Sequence, residues 1–109
     1  MRVTRLGSDW RNVSQVRPQA TPTVQSENER VKVTEWHFSA AAETGWHRHE
    51  YDYVIVPLAS GRLLIEASGG SSISELLLGK SYFRRSGVEH NVVNANEGEF
   101  AFLEVELKP

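Results

Sequence analysis

Two histidines, His47 and His49, stand two residues apart in "TGWHRHEYDYVIV" (Thr44–Val56), directly before a run of β-branched residues. In a strand, residues i and i+2 point to the same side, so both imidazoles reach one face. Two such nitrogens can hold a divalent metal at about 2.0–2.1 Å, with a third ligand drawn from a neighbouring strand. The remaining histidines are His37 and His90. His90 follows the Gly-containing turn in "SGVEH" and opens a strand that a barrel would set beside the first. The plainer alternative is that strand-end histidines only hydrogen-bond to nearby loops, and sequence alone does not bring three of them together.

The surrounding residues offer further chemistry. Carboxylates Glu50 and Asp52 follow His49 closely. Tyr53 shares the phase of His47 and His49 if the strand runs unbroken, so it is the better of the two phenols (Tyr51 is the other) to donate a hydrogen bond to a bound ligand. Arg84 is the arginine expected to grip a substrate carboxylate, because a guanidinium fork fits that group. A solvated Arg84–Arg85 pair is the ordinary alternative. His37 shares the phase of Val31 and Val33, which would turn it to the lumen, although a surface place is commoner for such a residue. Glu104 and Glu106 alternate with Leu103, Val105 and Leu107, which sends the carboxylates to solvent and the aliphatics inward. Trp36, Trp46, Phe83, Phe100 and Phe102 read as core, with a place at the pocket mouth as the alternative for Trp46.

The elements that must position these groups read as strands. "RVKVTEWHF", "YDYVIVPL", "GRLLIEA", "ISELLL", "HNVVN" and "EFAFLEVEL" are rich in alternating or β-branched residues, separated by the turn signals "SGGSS", "SGVE" and "ANEG". Pro57 marks a strand end or edge. "AAAET" (Ala40–Thr44) is the one helical candidate and is too short to stand alone. Short strands with near-regular turns indicate an all-β sandwich or barrel over residues 26–109. Residues 1–25, polar and with Pro18 and Pro22, read as an N-terminal arm.

Composition closes several other routes. The 109 residues suit one domain with a modest core. Twelve basic against 14 acidic residues give a net charge of −2, which does not suit a phosphate-backbone binder, so no nucleic acid is expected. The chain has no cysteine, which excludes disulfides and thiolate chemistry and fits a reducing cytoplasm. "MRVTRLGSDWRNVSQVRPQA" lacks an apolar leader segment, and no run approaches the roughly 20 apolar residues of a membrane helix. A cytoplasmic protein without a membrane partner is expected.

The two histidine segments together resemble the cupins over about residues 30–107. Gly45, His47, His49 and Gly61 match the first cupin motif, and "GKSYFRRSGVEHNVVN" matches the second through Gly79, Gly87, His90 and Asn94. Arg85 stands where that family has proline. The resemblance implies a double-stranded antiparallel β-barrel of jelly-roll type, with His47, His49 and His90 as metal ligands inside its mouth. The acidic ligand of the first motif is missing: four and five residues after His49 stand Tyr53 and Val54. Either Glu50 or Asp52 turns inward, or the site has histidines only, as in thiol dioxygenases and a diketone-cleaving dioxygenase of that superfamily. The wording of both segments is similar to small bacterial cupins linked to β-alanine degradation.

These readings imply a metal-binding protein, with an iron dioxygenase-like enzyme acting on a small polar metabolite as the leading activity. Zinc, nickel or manganese are the other metals considered. A non-catalytic binding module and a metal-dependent isomerase are the alternatives; the isomerase would need Glu50, Asp52 or Glu104 to face inward as base. A homodimer is expected, with the arm packing on or crossing to the partner.

Overall fold

The computed structural model describes residues 16–109, all-β, with no helix among them. The first fifteen residues of the expected arm therefore lie outside the described residues. Nine strands form two antiparallel sheets: β1 (Thr21–Glu27), β2 (Val31–Phe38), β3 (His47–Arg48), β4 (Asp52–Pro57), β5 (Gly61–Ala67), β6 (Gly70–Leu76), β7 (Tyr82–Arg84), β8 (Glu89–Asn94) and β9 (Phe100–Leu107). One sheet has the order β1-β2-β9-β4-β7 and the other β3-β8-β5-β6. Facing each other, they make the double-stranded jelly-roll barrel that the strand pattern and the resemblance imply.

β1 straddles the boundary expected between arm and barrel. It is exposed at every position, so it carries no apolar alternation that would announce a strand, and its ladder to β2 holds it. "AAAET" is not helical. It runs beside β8, with the Thr44 amide donating to the Val92 carbonyl and the Asn94 amide to that of Ala42, both at 2.9 Å. Ala42 is fully buried there, so burial of one small side chain and a borrowed ladder fix this segment next to the histidines.

The lumen divides along the strands. Phe38, Ile55, Leu63, Leu76, Phe100 and Phe102 pack one end as the hydrophobic core. Phe38 and Phe102 stack tilted, with centroids 5.4 Å apart. Along β9, the residues in the phase of Phe100 and Phe102 are next Glu104 and Glu106, and the pairing of Glu104 with Ile55 and of Glu106 with Tyr53 puts them on the same inward face. This corrects the expected phase: the carboxylates turn toward the lumen, while Leu103, Val105 and Leu107 turn outward. Alternation distinguishes two faces but does not say which one is covered, and the aliphatic face resembles a core face. The same register sends His37 out, where it is exposed and lies 3.2 Å from Glu99. Phe100 and Phe102 are core as expected, whereas Trp46 and Phe83 are 59% and 45% exposed.

Gly61, at the start of β5, has a packing reason for its identity. A Cβ there would sit 2.7 Å from Asn96 Oδ1 and 2.9 Å from Phe100 Cε1. Asn96 in turn bonds both the amide and the carbonyl of Arg62, at 3.0 Å each. Gly61→Ala is expected to lower stability by about 1–3 kcal/mol through overpacking, read by denaturant unfolding.

Candidate metal centre

The three histidines come together through one pairing. β3 and β8 are antiparallel with His47 opposite His90, and His49 is fixed just beyond them by its amide donating to the Val88 carbonyl at 2.9 Å. The His49 carbonyl accepts from the Gly87 amide at 2.8 Å. Gly87 has φ +94°, a conformation that glycine adopts without strain, and this turn delivers His90 to the lumen. The Nε2 atoms of His47 and His49 lie 3.0 Å apart, and those of His49 and His90 lie 3.2 Å apart. Ligand atoms at about 2.1 Å from one ion, subtending 90–110°, are separated by about 3.0–3.4 Å, which is this spacing.

The donor chemistry fits a cation as well. His47 Nδ1 lies 2.9 Å from the Gly45 carbonyl, an acceptor, which assigns the proton to Nδ1 and leaves the lone pair on Nε2. Burial pushes the His49 imidazole down to about 3, with His47 and His90 adding to the effect. Burial pushes His90 down to about 4, with His47 and Arg84 adding. Both are neutral at pH 7, so a metal would meet little competition from protons at either ring. Of the metal ligands considered from sequence, the structure brings His47, His49 and His90 into one group of ligand atoms within 4.8 Å. It does not bring Asp52, which has the phase opposite to Tyr53 and accepts a hydrogen bond from the Ser86 amide at 2.7 Å. Glu50 is exposed. No bulge redirects Asp52, because the β4 ladder runs in register from Asp52 to Pro57.

Tyr53 is buried and stacks on the His49 ring, with centroids 3.8 Å apart. Burial raises its phenol well above the usual range, so it stays protonated as a donor. Arg84 lies over the Tyr82 ring at 4.5 Å and lines the cavity from its exposed rim. The cavity, about 400 Å³, has Ile55, Leu63, Ile65 and Phe102 as apolar wall and Glu104 among its polar groups. Glu104 also forms a second group of ligand atoms within 4.8 Å, with His49 and Glu106. Burial pushes the Glu104 carboxyl up to about 7, helped by Glu106 and opposed by Lys32. The phase expected for β9 sends this carboxylate to solvent, and only the isomerase alternative has it facing inward.

A second missed group is the polar network behind His47. Arg17 grips Glu66 through two hydrogen bonds at 3.0 and 3.2 Å and reaches Glu43 at 3.3 Å. Asn91, 3% exposed, donates to Glu43 at 2.8 Å and Glu66 at 2.9 Å. Its Oδ1 accepts from the Gly45 amide at 2.8 Å. Asn91 thus ties the Arg17-bound carboxylate pair to Gly45, the residue whose carbonyl sets the His47 tautomer. Only its place directly after His90 could have signalled this in sequence.

For metal-free protein, His49 and His90 bind protons in the unfolded but not the folded state below pH 6.5, so stability falls as pH drops from 6.5 toward 4. Glu104 works oppositely: the folded state holds its proton between pH 4.5 and 7, so stability is lost as pH rises through that window, by at most about 1.4 kcal/mol per pH unit. Glu104→Gln is expected to stabilise relative to wild type increasingly from pH 5 to 7 and no further above it, as read by chemical denaturation across pH. Asn91→Leu is expected to weaken metal affinity about 10- to 100-fold, measured by chelator competition, because Gly45, whose carbonyl orients the His47 ring, loses its tether.

Comparison with known proteins agrees with this fold. The chain is 55% identical over 92 residues to the β-alanine degradation protein BauB of Pseudomonas aeruginosa, covering 84% of this chain and 97% of the relative. A crystal structure of a cupin domain from Bordetella pertussis Tohama I is 58% identical with a TM-score of 0.84, covering 85% of this chain and 97% of that one. At 21% identity, a cupin-2 domain protein of Shewanella frigidimarina shares the fold alone, with a TM-score of 0.59 over 94% of each chain. No family model matches the sequence.

Proposed function

The chain belongs to the cupins, as a small bacterial member, and from that premise we propose that it is a metal-dependent enzyme of dioxygenase-like type acting on a short aliphatic carboxylate. The observation that carries this reading is the set of three converging imidazole nitrogens with no carboxylate among the matching motif positions, at the wall of a cavity large enough for a small metabolite. Three neutral ligands leave coordination positions free, and iron, the metal preferred here over zinc, nickel and manganese, would supply redox chemistry toward dioxygen.

The chain's own groups divide the remaining work. Arg84, on the rim, offers a guanidinium fork to the substrate carboxylate, and its stacking on Tyr82 limits the directions in which the fork points. Ile55, Leu63, Ile65 and Phe102 cover the aliphatic body and exclude water from it. Tyr53 holds its proton beside His49 and can donate it to a developing negative oxygen. The Pseudomonas relative is a β-alanine degradation protein, which supports a carboxylate-bearing metabolite. A cytoplasmic place fits the cysteine-free chain.

A second reading, metal-assisted isomerisation, has one specific observation behind it. Glu104 faces the lumen with its carboxyl near neutrality, which is where a general base is most effective. The two readings separate in one experiment on iron-loaded protein with a panel of short carboxylates. Oxygenase chemistry consumes oxygen in step with substrate. Isomerisation exchanges substrate hydrogen with deuterated solvent and consumes none. In either case Arg84→Gln is expected to raise KM about 10- to 100-fold with kcat largely kept, since it removes a charge-assisted contact outside the reacting atoms. Neither oxygen uptake nor exchange with any carboxylate would contradict both readings and leave a binding module.

A further inference from the structure

The peptide between Thr44 and Gly45 is held at both ends. Its amide, the Gly45 N–H, donates to Asn91 Oδ1 at 2.8 Å. Its carbonyl, that of Thr44, accepts from Gln19 Nε2 at 2.8 Å. Two such bonds fix the plane of the peptide. From that plane the left-handed Gly45, with φ +88°, turns its own carbonyl to within 2.9 Å of His47 Nδ1. Gln19 stands in the N-terminal arm, 25 residues before Thr44. The arm around it is clipped to Glu43: the Glu43 amide donates to the Pro18 carbonyl at 2.9 Å, and the Ala20 amide donates to the Glu43 carbonyl at 2.8 Å. Ala20 is 2% exposed, which buries one end of the clip. Arg17 closes the other end, on Glu43 at 3.3 Å and on Glu66 at 3.0 and 3.2 Å. Gln19, between these anchors, is exposed, and its side-chain hydrogen bond among the described residues goes to Thr44. An exposed side chain with no apolar burial adds little to folding stability, so this contact calls for a different reason.

We infer that residues 17–20 of the arm are a clamp that positions a metal ligand. Gln19 orients the Thr44–Gly45 peptide, and through it the carbonyl that holds His47 with its proton on Nδ1 and its lone pair on Nε2. The partner of the non-ligating nitrogen fixes the ring and tautomer of a ligand histidine. Here that partner belongs to a glycine, which has no side chain to steady its backbone. The Thr44 hydroxyl donates to the same carbonyl at 2.9 Å and lies 3.3 Å from His47 Nδ1, so it moves with the peptide rather than anchoring it. Without Gln19 the peptide is held from its amide side alone, and its carbonyl side can swing. A ring that then carries its proton on Nε2 offers a cation no lone pair there. Weaker metal binding is the consequence, and that consequence rests on the metal-dependent function proposed for the site, whereas the tautomer itself does not. Gln19 is thus a positioning residue, and Arg17 anchors the backbone that carries it. Residues 17–20 serve the site of their own chain.

Heteronuclear NMR of the nitrogen-labelled, metal-free full chain tests this at about pH 8.5, above the ordinary imidazole range, where it reads the His47 tautomer directly. Wild type is expected in the Nδ1–H form. Gln19→Glu keeps the side-chain shape but loses the donor, and is expected to give a mixture with the Nε2–H form. The same variant is expected to weaken zinc binding about 3- to 10-fold by chelator competition, less than for a direct partner of a ligand because one peptide intervenes. Gln19→Lys restores a donor and is expected to recover the tautomer and the affinity. Gly61→Ala, which strains the Phe100 end of the lumen, is expected to change neither, and so separates positioning from stability. Arg17→Gln, which loosens the anchor on Glu66, repeats the test should Gln19→Glu fail to unfold cooperatively. Four results would each overturn the assignment: wild-type His47 protonated on Nε2, a folded Gln19→Glu variant with unchanged tautomer, no recovery in Gln19→Lys, or a tautomer shift in Gly61→Ala as large as in Gln19→Glu. A wild type that binds no zinc but shows the tautomer shift would support the clamp and contradict the metal centre alone.

Discussion

The register of β3 against β8 is the constraint on which the rest of the site depends. Those strands come from distant parts of the chain, and β3 is only two residues long, His47 and Arg48. One ladder step places His47 opposite His90, and the next turn's hydrogen bonds to His49 bring the third ring in. A slip of one residue would send His47 to the other face and dissolve the cluster. A two-residue strand cannot hold its own register. The Ala42–Thr44 segment therefore runs along β8, and the Asn91 amide ties down the Gly45 peptide, so that β3 starts from a fixed point.

The electrostatics around that point are asymmetric. On the histidine side, burial first and repulsion from neighbouring cations second keep His49 and His90 neutral, and the three rings converge on one locus. Behind His47, two carboxylates are held with Arg17, whose hydrogen bonds lower Glu66 below the usual carboxylate range. Across the lumen, Glu104 is raised toward neutrality by the burial that empties its surroundings of water. A carboxyl near pKa 7 and a locus for a cation thus share one cavity, a combination suited to moving protons and charge together.

Much of this was legible in the chain, and the gaps have physical causes. Most strands were readable from β-branched runs and turn residues, and the histidine triad from i, i+2 parity together with the glycine turn before His90. β1 was not, because a strand exposed on both faces carries no alternation. The phase of β9 was misread because alternation identifies two faces without saying what covers each, and here the aliphatic face is the outer one. That misreading sent Glu104 to solvent and left Glu50 and Asp52 as the carboxylates to consider as ligands, although Asp52 shares the outward phase of Val54. Asn91 and Arg17 act through contacts spanning 25 to 49 residues with Glu66, Glu43 and Gly45, and no local pattern encodes such pairs.

The most direct test of the central claim is calorimetric titration of metal-free protein with ferrous or zinc ion near pH 7.5, run beside the His47→Ala/His90→Ala double variant. One ion per chain, with heat lost in a variant that unfolds as cooperatively as wild type, is the expected result. Equal binding by both proteins, or no binding by wild type, would contradict a centre built from these three imidazoles.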